Sequence, residues 1–149
     1  MSPLNIRPAE EKDLNAVHAL ICQLEEFDIP MDELSRIYLK NLKQETIYYY
    51  VAEEKNQVIG FVSMHIQFLL HHYAAVAEVQ EICIHDSCRG KGYGKILLDF
   101  VKEKAKELDC DLIELCTNKK RSDAHRFYDR EGWRQSHYKY TFPFRKEFL

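Results

Sequence analysis

Three of the chain's five glycines, Gly90, Gly92 and Gly94, fall within five residues, interleaved with Arg89, Lys91 and Lys95. No acid interrupts residues 89–95. Glycine accepts positive φ and close backbone approach, so successive N–H groups in such a loop can converge on an anion. A helix beginning there adds the positive end of its dipole. The chemistry predicted is the cradling of a pyrophosphate. Two common nucleotide cradles are excluded, because neither G-x-x-x-x-G-K-[ST] nor G-x-G-x-x-G occurs.

Charge distribution supports an anionic ligand. The net charge is −3, but residues 1–118 hold twelve basic against twenty acidic side chains, and residues 119–149 hold nine against four. A basic final quarter on an acidic body suits a small anion. It is too short and too weakly biased to predict a nucleic-acid partner. Five cysteines, odd in number and without a C-x-x-C pair, predict neither a zinc motif nor a disulfide framework. Cys22, Cys83, Cys110 and Cys116 read as small core residues, with Cys88 the more exposed one beside the glycines. No apolar run approaches the roughly 20 residues of a membrane span. Met-Ser-Pro-Leu-Asn lacks the basic and apolar regions of a signal peptide, so the cytoplasm is the expected location.

The elements that must position the glycine loop can be read from periodicity. Residues 1–149 carry no repeat or linker and are expected to form one α/β domain. Leu4–Arg7 reads as a short strand. Leu14, Val17, Ile21 and Leu24 mark a helix over 10–24, and Leu34, Ile37, Tyr38 and Leu42 mark another from Met31 to about Lys43. Residues 48–54 and 58–68 read as strands joined by a turn, and a third sheet strand spans 75–84. The clearest helix runs from Gly92 to Leu108 on Leu97, Val101, Ala105 and Leu108. A strand comes next at 112–116, which the crossover makes parallel to 75–84. A short helix is predicted over 122–130, with Ser122 as its cap and Gly132 past its end. Trp133–Phe142 alternates and is expected to close a twisted mixed sheet of six or seven strands flanked by about four helices.

Arg89-Gly90-Lys91-Gly92-Tyr93-Gly94 resembles the R/Q-x-x-G-x-G/A motif of the GCN5-related N-acetyltransferases (the GNAT family). Glu81-Ile82-Cys83-Ile84-His85 is similar to the family strand that leads into this loop. Asn118 with Ala124, Phe127-Tyr128 and Gly132-Trp133 is similar to its N…A-x-x-F-Y-x-x-x-G-F/W element. The resemblance covers nearly the whole chain. It implies that the anion is acetyl-CoA, with Arg89 to Lys95 around the pyrophosphate. The pantetheine arm would lie along Ile82, Cys83 and Ile84 in a splayed gap beside the strand at 112–116. Asn118 and the Ala124, Phe127 and Tyr128 helix would face the thioester.

Attack on a thioester needs a neutral amine, and an alkyl amine with a pKa near 10.4 is about one part in a thousand neutral at pH 7, so a base helps. Glu78 and Glu81 are the candidates; simple alternation sends them to opposite faces of their strand, and Glu78 is favoured. A strand N–H near Cys83 could stabilise the oxyanion. Tyr128, protonated at neutral pH and four residues after Ala124, is the candidate acid for the leaving thiolate; the resemblance implies the same role.

The segments Gln67–His72, Glu78–Glu81, Thr117–Tyr128 and Ser136-His137 resemble the bacterial aminoalkylphosphonate N-acetyltransferases. That implies a small acceptor with an amine and a phosphonate, with Lys120, Arg121, His71 and His72 as candidate contacts. That group is associated with a divalent metal. His71, His72 and Glu78 are imaginable ligands, but their spacing is not diagnostic, and no metal ligand is assigned. Transfer to another amine, including a protein lysine, and a non-catalytic acetyl-CoA-binding module are the alternatives; homodimer assembly is a further expectation.

Overall fold

The tyrosine- and valine-bearing strands lie at the middle of a five-stranded sheet, among the described residues. The computed structural model describes residues 4–148. Its strands are β1 (Leu4–Pro8), β2 (Ile47–Glu54), β3 (Gln57–Leu69), β4 (Ala74–Ile84) and β5 (Cys110–Leu115), neighbours in chain order. β1 to β4 run antiparallel, whereas β5 is parallel to β4. That switch requires a crossover, supplied by the 15-residue helix α3 (Tyr93–Glu107). Helices α1 (Leu14–Glu25) and α2 (Met31–Asn41) separate β1 from β2.

Strand alternation gives the sheet two apolar faces. One packs Val51, Phe61 and Cys83 against Val17, Leu20 and Tyr38 of α1 and α2. The other carries α3, whose Leu97, Leu98 and Val101 are fully buried. Gly60 is required there: a Cβ would sit 2.9 Å from Ile84 Cδ1 and 3.3 Å from Leu97 Cδ1. At the edge, Arg7 donates to both oxygens of the buried Asp13 (2.8 and 2.9 Å) and to Glu53 (2.8 Å), fixing β1 to the start of α1. The Arg7 hydrogen bonds hold the Asp13 carboxyl below the usual carboxylate range.

Two irregularities shape β4, the strand that leads toward the glycine loop. Its register with β3 shifts between Ser63 and Met64, which face Glu81 and Val79 respectively, so Gln80 is an extra residue in a β-bulge. Its ladder with β5 ends at Val79 opposite Leu115. From Gln80 to Ile84 that edge of β4 has no partner strand among the described residues.

The chain divides into two compact units after Leu115. The second holds helix α4 (Ser122–Arg130). Ser122 is its first helical residue, and Arg121 occupies the cap position without a side-chain bond. Gly132, at φ +88°, ends it as expected; Trp133 N–H bonds Tyr128 O at 3.0 Å, and the Tyr128 and Trp133 rings meet edge to face. The expected strand over 133–142 does not form, so the sheet has five strands rather than six or seven. Alternation specifies two faces but not a pairing edge, and Tyr138, Tyr140, Phe142 and Phe144 are exposed on this segment.

No described helix is long and apolar enough to cross a membrane. The cysteine expectations reverse in two places: Cys88 is buried and Cys116 exposed. Cys88 is the last residue of a short 3₁₀ turn and packs inward with its thiol toward Glu54.

Candidate active site

The path from β4 into α3 is a backbone device. Gly90 (φ +81°) and Gly92 (φ +79°) adopt the left-handed conformation that favours glycine, and Gly92 forms the cap of α3. Gly94 is different. It lies in the first helical turn without positive φ, and a Cβ there would meet nothing within 4 Å. Neither conformation nor packing within the chain calls for glycine at 94, although glycine costs a helix about 1 kcal/mol relative to alanine. Close approach of a group from outside would call for it. The first i→i−4 bond of the helix is Ile96 N–H to Gly92 O, at 3.3 Å. The amides of Tyr93 and Gly94 precede it and lack intrahelical acceptors. This open, donor-rich turn fits a pyrophosphate.

The loop's cations are less free than their sequence suggests. Arg89 Nε lies 3.0 Å from Asp86, Lys91 Nζ 3.4 Å from Glu54, and Lys95 Nζ 2.8 Å from Asp99. Tyr93 is buried, and its hydroxyl donates to Glu54, which pushes the phenol up to about 12 and the Glu54 carboxyl down. Its side chain anchors the loop. A second anchor has no signature in the sequence. Gln23 of α1 donates to Ile84 O and accepts from Asp86 N–H, both at 3.0 Å, tying the end of β4 to α1. Residues 61 and 63 apart carry no local signal of that contact.

Ile82, Cys83 and Ile84 lie on the stretch of β4 beyond its ladder with β5, which ends at Val79 opposite Leu115. The bulge corrects one expectation. Glu78 pairs with His65 and Glu81 with Ser63, and residues 63 and 65 share a face of β3. Glu78 and Glu81 therefore point to the same face, the one covered by α1 and α2, and not to opposite faces. Glu81 accepts from the buried Ser63 hydroxyl, which accepts in turn from Glu81 N–H at 2.9 Å. His65, cross-strand from Glu78, is a candidate absent from the sequence-based set; only the hairpin register identifies it.

His71 and His72 occupy the tip of the β3–β4 hairpin, ring centroids 4.4 Å apart. Four residues of strand, about 13 Å, separate Glu78 from Ala74 at the base of that tip. These three side chains do not fit a common metal ion, and no step is assigned to one there.

In the second unit, Asn118 organises the approach to α4. Its Oδ1 accepts from Lys120 N–H (2.9 Å), and its carbonyl accepts from Arg121 N–H (3.0 Å) and contacts His125 Nε2 (2.8 Å). His125 is thereby a structural clamp. Lys120 and Arg121 are exposed, while Ala124, Phe127 and Tyr128 are half-buried. Burial raises the Tyr128 phenol above its ordinary range and Arg121 offsets this in part. The hydroxyl therefore holds its proton at neutral pH.

The model of the acetyltransferase (GNAT) family matches residues 14–133. The chain is 38% identical over 141 residues to the aminoalkylphosphonate N-acetyltransferase of Salmonella typhimurium, spanning 95% of this chain and 92% of that protein. A transcriptional regulator from Bacillus halodurans superposes with a TM-score of 0.86 at 27% identity, covering 95% of this chain and 99% of that one. An aminoglycoside N-acetyltransferase solved with CoA shares the fold, with a TM-score of 0.83 at 18% identity over 95% of each chain.

Proposed function

The chain belongs to the GNAT family, acetyl-CoA-dependent acetyltransferases, and from that premise we propose that it acetylates the primary amine of a small anionic acceptor, an aminoalkylphosphonate. The observation that carries the acceptor is the 38% identity to an enzyme of that name across 95% of the chain. The exposed Lys120 and Arg121, in a segment with a surplus of basic residues, support it. Residues 1–149 act as one catalytic domain on this reading. An odd number of cysteines with no C-x-x-C pair suits a reducing cytoplasm. The partner is a small molecule rather than a nucleic acid or membrane, and the assembly is a homodimer.

In the proposed reaction, the glycine turn at 90–94 holds the donor's pyrophosphate through backbone N–H groups, with Arg89, Lys91 and Lys95 around it. Ile82, Cys83 and Ile84, on the stretch of β4 beyond its ladder with β5, align the pantetheine arm, and Asn118, Ala124 and Phe127 bind the thioester end. Glu78 takes the ammonium proton, directly or through water, and the neutral amine attacks the thioester carbonyl. Glu81, bonded to Ser63, is the second carboxylate of that face. Tyr128 donates its proton to the departing thiolate. His71 and His72 line the acceptor side.

Thiol release with acetyl-CoA and a panel of amines tests the assignment. Release with aminomethyl- or aminoethylphosphonate is expected; release only with polyamines, amino sugars or peptides overturns the acceptor. Glu78→Gln should lower kcat by about 100-fold and Glu81→Gln by less. The reverse order would make Glu81 the base.

A further inference from the structure

We propose that His18, Cys22 and Asp28 form a binding site for a divalent cation of the zinc class. They are the one group of three histidine, cysteine or acidic side chains, among the described residues, whose ligand atoms all lie within 4.8 Å of one another. The site lies at the C-terminal end of α1, apart from the glycine turn, and uses none of the residues assigned to acetyl transfer.

Local folding builds it. His18 and Cys22 are four residues apart on α1 and so share a stripe. The helix stops at Glu26, whose left-handed conformation (φ +52°) turns the chain back, with Phe27 N–H bonded to Cys22 O at 3.2 Å. The returning segment crosses the stripe. Ile29 N–H donates to Cys22 Sγ at 3.4 Å, and Ile29 O lies 2.7 Å from His18 Nε2. Asp28 arrives on the same turn.

The distances suit a tetrahedral ion. With Zn–N about 2.0–2.1 Å and Zn–S about 2.3 Å, tetrahedral N and S ligands stand roughly 3.6 Å apart. His18 Nε2 and Cys22 Sγ are 3.5 Å apart. One imidazole, one thiolate and one carboxylate form a mixed N, S, O set. That set favours zinc and its borderline-soft neighbours over magnesium or calcium, which take oxygen ligands. On binding, the Cys22 thiol releases its proton to solvent, and the Ile29 N–H donor favours the resulting thiolate. The imidazole coordinates through Nε2 with its proton on Nδ1, so its contact with Ile29 O yields to the metal. Water completes the tetrahedron. The ion then staples the end of α1 to the 26–29 turn, one residue from Gln23, which holds the end of β4.

Untagged full-length protein, stripped by chelator, should bind one Co²⁺ with a near-ultraviolet thiolate-to-cobalt absorption that one equivalent of Zn²⁺ removes. Cys22→Ser should abolish the band, whereas Cys88→Ser and Cys116→Ser should retain it. His18→Gln and Asp28→Asn should each weaken Zn²⁺ binding by about ten- to a hundredfold, with circular dichroism unchanged. In the unmutated protein, one equivalent of Zn²⁺ should shield Cys22 from alkylation, read by mass spectrometry, so the test survives a variant that fails to fold. Absence of the cobalt band, no shielding of Cys22, or Zn²⁺ binding lost with His71→Gln/His72→Gln and kept with His18→Gln/Cys22→Ser would each overturn the proposal.

Discussion

Two strand-to-helix loops in this chain are built on opposite principles. The loop from β4 into α3 relies on backbone: two glycines at positive φ, a third whose missing Cβ leaves open space, and a buried Tyr93 that points its side chain away. Its cations are already matched to Asp86, Glu54 and Asp99. The loop from β5 into α4 contains no glycine and is organised by Asn118 and His125, with Lys120 and Arg121 left exposed. On the proposed function, the backbone cradle holds what every reaction would share, the donor's pyrophosphate. Exposed side chains at a second helix start suit what differs among related enzymes, the acceptor. On the proposed function, the difference means that the two substrates are read by different chemistry and should fail independently.

The largest expected effect comes from Gly94→Leu. Leucine is a better helix former and its Cβ would meet nothing within 4 Å, so the melting temperature should hold or rise, while the KM for acetyl-CoA increases by about a hundredfold or more, ~2.7 kcal/mol. An unchanged KM would remove the reason for glycine at 94 and break the contrast. Next, Tyr128→Phe should lower kcat by about a hundredfold with little change in acetyl-CoA affinity, measured by steady-state kinetics and donor titration. Because its pKa is raised, the activity Tyr128 supplies as an acid should persist through neutral pH. It should be lost only as pH rises past the ordinary tyrosine range, so an alkaline limb near neutrality would point to another acid.

Arg121→Ala should raise the KM for a phosphonate acceptor about tenfold, more steeply at low salt, and spare a neutral amine acceptor. Equal loss with both acceptors would make Arg121 structural. The smallest effect belongs to Lys91→Ala. With Lys91 held by Glu54 and about half exposed, acetyl-CoA affinity should fall by no more than about threefold. A large loss there would mean that side-chain charge, not backbone, dominates donor binding.

The glycine turn was legible because its requirements are local. Positive φ favours glycine at the alternate positions 90 and 92, and the helix after them shows in Leu97, Val101 and Ala105. The Tyr128 helix and the Gly132 stop were legible for the same reason, since helical spacing and a left-handed terminus depend on residues a turn apart. What depended on pairing across the sheet was not. Nothing within β4 reveals that Gln80 is the extra residue of a bulge; that appears only when Ser63 and Met64 are set opposite Glu81 and Val79. Glu78 and Glu81 share a face for that reason alone. The aromatic alternation after Trp133 reads as a strand, yet a strand exists only where an edge accepts it.

Sequence alone determined the glycine loop, the helix that bears Tyr128 and the mixed α/β order, because torsional preference and periodicity act over a few residues. Tertiary structure decided which carboxylates share a face, that the loop's cations are matched to acids, and that His18, Cys22 and Asp28 converge. Each of those rests on chain reversal or strand register, where the partner's position along the sequence is set by packing rather than by the residues beside it.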